Sequence, residues 1–285
     1  MTANDPRRGM ALVAVLWSIA LLSALAMAAS VTFRGFVGIM AVDRDRLQVE
    51  ALLTGGLEAA AGLATDLGAR PLINIERTIT LSTGSVRARL SDEGGRIDIG
   101  KAPVEVLSAL FGSVGVPAPE AEGIAQRITA LRNRNNGVRD QSAQPSSGPV
   151  LTDIRQLAYI AGAAPEWVAA AAPLVTVFGS ETVNPLTAPA PVIAALPGVG
   201  EMQLRTFLEM RQSLAAADAD RLGAILGPAQ RYVAVKPQRV VSVELTATLP
   251  DGYASAVQAV IVLLPRDSQP YRVLVWNPRP SFELP

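Results

Sequence analysis

Residues Met10–Phe33 form a 24-residue stretch without Asp, Glu, Lys or Arg. At about 1.5 Å rise per residue, roughly 20 such residues cross the hydrocarbon core of a bilayer. A run of this kind is either a membrane-spanning helix or the apolar part of an export signal. It starts almost at the N-terminus, directly after Arg7-Arg8-Gly9. Basic residues ahead of a span keep the short leader cytoplasmic and send the C-terminal bulk outward.

The sequence past the run continues as a helix. Val49, Leu53, Ala60, Leu63 and Leu67 recur near a 3.6-residue period, while Asp43, Arg44, Asp45, Arg46, Glu50 and Glu58 fill other faces. The first proline after the run is Pro71, and Gly35, Gly38, Gly55, Gly56 and Gly62 soften the helix without ending it. One helix is therefore expected from Met10 to about Leu67. Residues 10–33 form its transmembrane half, and residues 34–68 form an outer half packed on a soluble domain. Three readings of the N-terminus compete. Ala26-Met27-Ala28 suits a cleaved secretory signal, and an uncleaved anchor needs no site at all. The third reading is a prepilin-type leader, residues 1–9, cut between Gly9 and Met10. Arg-Arg-Gly-Met and the uninterrupted helix favour the third, because a secretory signal has no reason to continue into an amphipathic helix.

Composition narrows the chemistry. Net charge is zero, so no broad attraction to nucleic acid or anionic lipid is expected. With no cysteine and no histidine, the chain lacks thiolate ligands, the usual general base and the commonest transition-metal ligand. No pairing of Ser, Lys and carboxylates is legible as a catalytic constellation. Hydrophobic residues make up 49% and mean hydropathy is +0.30, both raised by the N-terminal run and by alanine.

Strand signals follow the long helix. Thr78–Leu81 and Ser85–Leu90 flank Thr83-Gly84 as a hairpin, with Val86, Ala88 and Leu90 on one face. They resume at Arg239–Thr246, Ala256–Leu264 and Tyr271–Trp276, separated by Pro250-Asp251-Gly252 and the Pro265–Pro270 turn region. A lone hairpin is marginally stable, so the economical architecture is α+β. Residues 69–93 and 238–285 build one antiparallel sheet, and residues 94–237 form an all-α insertion; two tandem domains are the alternative.

The insertion carries an internal repeat. Arg96–Leu110 aligns without gaps to Thr182–Leu196, matching Asp98 to Asn184, Ala102 to Ala188 and Pro103 to Pro189. The Asp or Asn can make a local side-chain turn, and Ala-Pro can open a helix with proline as its first residue. Val106-Leu107 and Val192-Ile193 would supply the buried face. The second copy runs on into Leu196-Pro197-Gly198-Val199-Gly200, whose Gly198 and Gly200 suit a turn between two helices. This hairpin looks like a helix-hairpin-helix unit, in which turn amides meet nucleic-acid phosphates. Residues 94–237 hold twelve Lys/Arg and twelve Asp/Glu, so they lack the basic excess that phosphate binding needs. A protein scaffold is the favoured use of the turn; a membrane-anchored, competence-type nucleic-acid receptor is the alternative. Residues 133–149, rich in Asn, Ser, Gln, Gly and Pro, read as a loop between helical units.

Leader, spine helix, hairpin, duplicated Ala-Pro insertion and terminal strands together resemble the type II secretion minor pseudopilin K family over nearly the whole chain. The resemblance implies cleavage between Gly9 and Met10 by a prepilin peptidase and N-methylation of Met10. It implies a pilin-like fold and an inner-membrane, single-pass protein with its C-terminal domain in the periplasm. Most pseudopilins carry Glu as the fifth mature residue, and here that position is Ala14. In the family the missing carboxylate marks the filament-tip subunit. The implied partners are minor pseudopilins I and J, other pseudopilins and the inner-membrane assembly platform. Small residues Ala24, Ala26, Ala28 and Ala29 permit close helix packing in the membrane. Some family members bind calcium, but no loop here shows dense Asp/Asn spacing. Asp218 and Asp220 could equally start a helix. No cofactor and no metal ligand is assigned.

Overall fold

In the computed structural model a single helix, α1 (Pro6–Leu67), runs for 62 residues. The structure describes residues 6–68, 70–73, 75–137, 151, 153–213, 219–235, 239–264 and 267–279. Helix α1 ends where Gly68 takes a left-handed conformation, φ 55°, and its amide donates to the carbonyl of Thr65 at 3.1 Å. A glycine just past the last turn adopts that conformation without a Cβ penalty, and Pro71 then prevents continuation. The window Val13–Ser30 has mean hydropathy 2.1 and no burial by the rest of the chain. From Val49 onward the same helix turns a stripe inward: Val49, Leu52, Leu53, Leu57, Ala60, Ala61 and Ala64 are all buried.

That stripe lies on a five-stranded antiparallel sheet of order β1-β2-β5-β6-β7. The strands are β1 (Ile75–Leu81), β2 (Gly84–Asp92), β5 (Val240–Thr248), β6 (Ala254–Leu263) and β7 (Tyr271–Arg279). Alternation sets the buried face: Val86, Ala88 and Leu90 of β2 turn toward α1 with Val241, Val243, Leu245 and Ala247 of β5. Gly56 brings α1 close to this face, since a Cβ there would stand 2.6 Å from Val86 Cγ1. Every strand is longer than its sequence signal. Glu76 and Arg77 in β1, for example, extend pairing through an exposed charged segment opposite Arg89 and Ala88.

Strands β2 and β5 are neighbours, with Asp92 opposite Val241, although more than a hundred residues separate them in the chain. The segment between them builds its own hydrophobic core around Phe111, Ile124, Leu157, Val192, Ile193 and Phe207. Its helices are α2 (Val104–Ser113), α3 (Ala118–Gly137), α4 (Gln156–Ile160), α5 (Pro165–Ala171), α6 (Ala190–Ala194), α7 (Glu201–Ser213) and α8 (Ala219–Ile225).

The inserted segment is not purely helical. Strand β3 (Ile97–Asp98) pairs in parallel with β4 (Val175–Thr176), and Val183 forms a parallel bridge with Val233. Two-residue pairings carry no alternation, which is why no strand was expected there. Residues 133–137 are the last turn of α3 rather than loop, and 138–150 lie outside the described residues. Gly9 and Met10 fall within the first turns of α1, while residues 1–5 lie outside the description.

Candidate functional site

The repeat has the same backbone geometry in both copies. Asp98 Oδ1 accepts the Gly100 amide at 2.7 Å, and Asn184 Oδ1 accepts the Leu186 amide at 3.2 Å. The Ala102 amide donates to the Asp98 carbonyl at 2.8 Å, and the Ala188 amide to the Asn184 carbonyl at 3.0 Å. Pro103 and Pro189 then cap α2 and α6 with near-identical dihedrals, φ −57° ψ 155° and φ −58° ψ 149°. The prolines stand at the cap, one residue earlier than the first helical position expected. A proline there confines the chain to extended backbone just ahead of the helix. Val106, Leu107, Val192 and Ile193 are buried.

The likeness extends beyond the aligned stretch. Each unit opens with an extended segment, at Ile97 or Val183. Each closes by parallel pairing with the strand that follows its last 3-10 turn, at Val175 or Val233. A second shared feature is an arginine. Arg132 on α3 donates Nη1–H to the Ala102 carbonyl at 2.9 Å, and Arg211 on α7 donates Nη1–H to the Ala188 carbonyl. Each arginine thus ties the second helix of its unit to the Ala-Pro corner. A gapless alignment cannot find this pair, because Arg132 follows Pro103 by 29 residues and Arg211 follows Pro189 by 22.

Asp92 at the end of β2 joins the sheet to the second unit. Its Oδ1 accepts the Gly94 amide at 2.9 Å. Its Oδ2 accepts Asn184 Nδ2–H at 3.1 Å and Thr187 Oγ1–H at 2.7 Å. Next to it, buried Glu93 pairs with Arg96 at 3.1 Å and accepts the Thr176 hydroxyl. A buried carboxylate is tolerable only when its lone pairs are filled; neutral donors fill those of Asp92, and Arg96 with the Thr176 hydroxyl serves Glu93. Sequence reading passed over Asp92 and Glu93, whose partners in the two units include groups 83 to 95 residues away.

Electrostatics separate the two copies. Burial pushes the Asp98 carboxyl above its ordinary value, and Lys101, 3.4 Å from Oδ2, opposes this. Burial lowers Arg132, and the charge of Asp98 opposes that shift; burial alone lowers Arg211. Gly198, at φ 80°, turns the chain between α6 and α7, and the Gly200 amide donates to Gln203 Oε1 at 2.9 Å. The Gly200 amide is therefore already bonded within the chain. Ala14 lies in the apolar span, where its carbonyl accepts the Ser18 hydroxyl at 2.8 Å. Among the described residues no three His, Cys, Asp or Glu cluster as a metal site.

The chain matches no protein-family model, and no curated protein matches it. Among solved structures it is similar to a chain in the crystal structure of the GspK-GspI-GspJ complex from the enterotoxigenic Escherichia coli Type 2 Secretion System. The TM-score is 0.57 at 16% identity, covering 84% of this chain and 99% of that one. The fold is thus GspK-like, with the spine helix, antiparallel sheet and helical insertion in one arrangement.

Proposed function

We propose that the chain is a minor pseudopilin of the K type, standing at the tip of a type II secretion pseudopilus. The observation that carries this reading is the GspK-like fold shared over 84% of this chain and 99% of the solved one. Two features of the sequence support it. Gly9–Met10 sits where a basic leader meets the apolar run, and Ala14 occupies the place of the usual glutamate. An ammonium buried in lipid is costly without a carboxylate partner. A subunit lacking that carboxylate suits the first position in a filament, with no subunit ahead of it.

On this reading a prepilin peptidase cuts between Gly9 and Met10, and Met10 is N-methylated. The protein stays in the inner membrane by one span, N-terminus cytoplasmic, with residues 34–285 periplasmic. It joins pseudopilins I and J, and works as a structural subunit without catalysis, cofactor or metal. The segment 94–237 is a bulky insertion that fits the end of a helical array and not its interior.

Intact mass and N-terminal sequence of protein from its native membrane test this. A chain starting at methylated Met10 is expected, and Gly9→Val is expected to leave full-length, unprocessed protein. A chain starting near Ala29, or normal processing of the Gly9 variant, overturns the reading.

A further inference from the structure

At the turn position the two copies of the repeat differ by one charge, Asp98 against Asn184. In the first, the Asp98 carboxylate offsets the burial of Arg132. In the second, Arg211 makes the matching contact to its Ala-Pro corner, but the turn residue is the neutral Asn184. An aspartate could not stand there. Asn184 donates its amide to Asp92 at 3.1 Å, and a second carboxylate at that distance would repel. Arg211 is therefore half-buried, and no ion pair reaches it among the described residues.

One side of the Arg211 guanidinium stands over the ring of buried Phe207, 5.5 Å from its centroid. Arg211 also lines a cleft of about 300 Å³ at the joint between sheet and insertion, together with Arg96, Asp92, Leu72, Ile73 and Pro173. Arg96 has Glu93 as its counter-charge, and the oxygens of Asp92 are filled by Gly94, Asn184 and Thr187. The cleft thus presents one cation without a counter-charge, beside an apolar rim where Ile73 is 49% exposed. Guanidinium and carboxylate match in geometry, and a half-desolvated pair is stronger than one in water. A free small anion would leave Ile73 uncovered, whereas an acidic side chain brings flanking residues that cover it.

We propose that this cleft receives an Asp or Glu side chain of a protein partner, its carboxylate held by the Arg211 guanidinium. The cleft would accept such a side chain in whichever assembly the chain joins, so its test is separate from that of N-terminal processing.

Cells expressing the full chain with p-benzoylphenylalanine in place of Ile73 provide the test. A cross-link to a partner segment holding an acidic residue is expected. Arg211→Gln should lower the yield at least tenfold, and Arg211→Glu with charge reversal of the partner's acid should restore it. Ala190→Glu, which sets a like charge on the cleft wall at the start of α6, should also abolish the cross-link. It keeps the test open if Arg211→Gln fails to fold. No cross-link, a segment without an acidic residue, or a yield indifferent to these changes overturns the proposal.

In the purified full chain in detergent, succinate against chloride at equal ionic strength should leave the melting temperature unmoved. A rise lost in Arg211→Gln would assign the cleft to a small carboxylate and overturn the protein partner. Restoration of the cross-link in Arg211→Gln by Asp218→Asn would show an internal counter-charge and overturn it equally.

Discussion

Asp98 is nine-tenths or more buried with Oδ2 lacking a hydrogen-bond partner, yet its place in the repeat is filled by asparagine in the second copy. Its folded pKa is raised by burial from 3.8. The group therefore favours folding fully below that value, and loses this contribution as pH rises through the folded pKa. Asp98→Asn keeps the bond from the Gly100 amide and removes the buried charge, at the loss of a half-exposed lysine partner and of the charge that offsets the burial of Arg132. Denaturation at pH 7 should place it within about 1 kcal/mol of the parent, with Asp98→Ala about 1–2 kcal/mol lower. At pH 3 any advantage of Asn should vanish. Two glycines of α1 make a sharper contrast. Gly62 has open space around a built Cβ, so Gly62→Ala should stabilise by about 0.5–1 kcal/mol. Gly56 has Val86 in the way, so Gly56→Ala should cost about 1 kcal/mol net, overpacking outweighing helix propensity. Equal signs in urea titrations of the two variants would contradict the close helix–sheet approach.

Among elements, α1 meets the far edge of the sheet through a polar contact. Tyr271, the first residue of β7, donates its hydroxyl to Glu58 on α1. Burial, followed by the hydrogen bond and charge of Glu58, raises its pKa to about 12. The folded state thus holds this proton more tightly than the unfolded chain. Stability from the group is complete below about pH 10 and is lost as pH rises toward 12. Tyr271→Phe should remove that part of the alkaline slope and lose, at pH 7, the hydrogen bond to Glu58. An identical slope in the variant, followed by circular dichroism from pH 9 to 12, would show that the contact contributes nothing.

The whole molecule is a helix–sheet body with a second body spliced between two adjacent strands. Each has its own core, and Asp92 with Glu93 bonds them together through neutral donors and one arginine. Because Asp92 and Val241 are register partners, replacing residues 94–239 by a short glycine turn closes β2 onto β5 as a hairpin. The shortened chain should keep the cooperative unfolding of the sheet and the long apolar N-terminal helix. Loss of its strand signal in circular dichroism would mean that the sheet depends on the insertion. On the proposed function, the same deletion should abolish secretion that depends on the tip; unimpaired secretion would contradict a role for the insertion.

Periodicity carries what was legible in the chain. A charge-free run, a 3.6-residue stripe and a two-residue alternation each impose a direction on side chains before any partner is known. They suffice for the spine helix, the strands and an interrupted sheet. The repeat was visible through Asp98, Pro103, Asn184 and Pro189, because a turn and a proline act on their own backbone. Contacts between distant residues have no such local signature. The parallel closures at Ile97–Val175 and Val183–Val233, the Asp92 joint and the matched arginines are pairings of single groups. Tertiary structure alone decided that Arg132 lies near a carboxylate while Arg211 faces an open cleft.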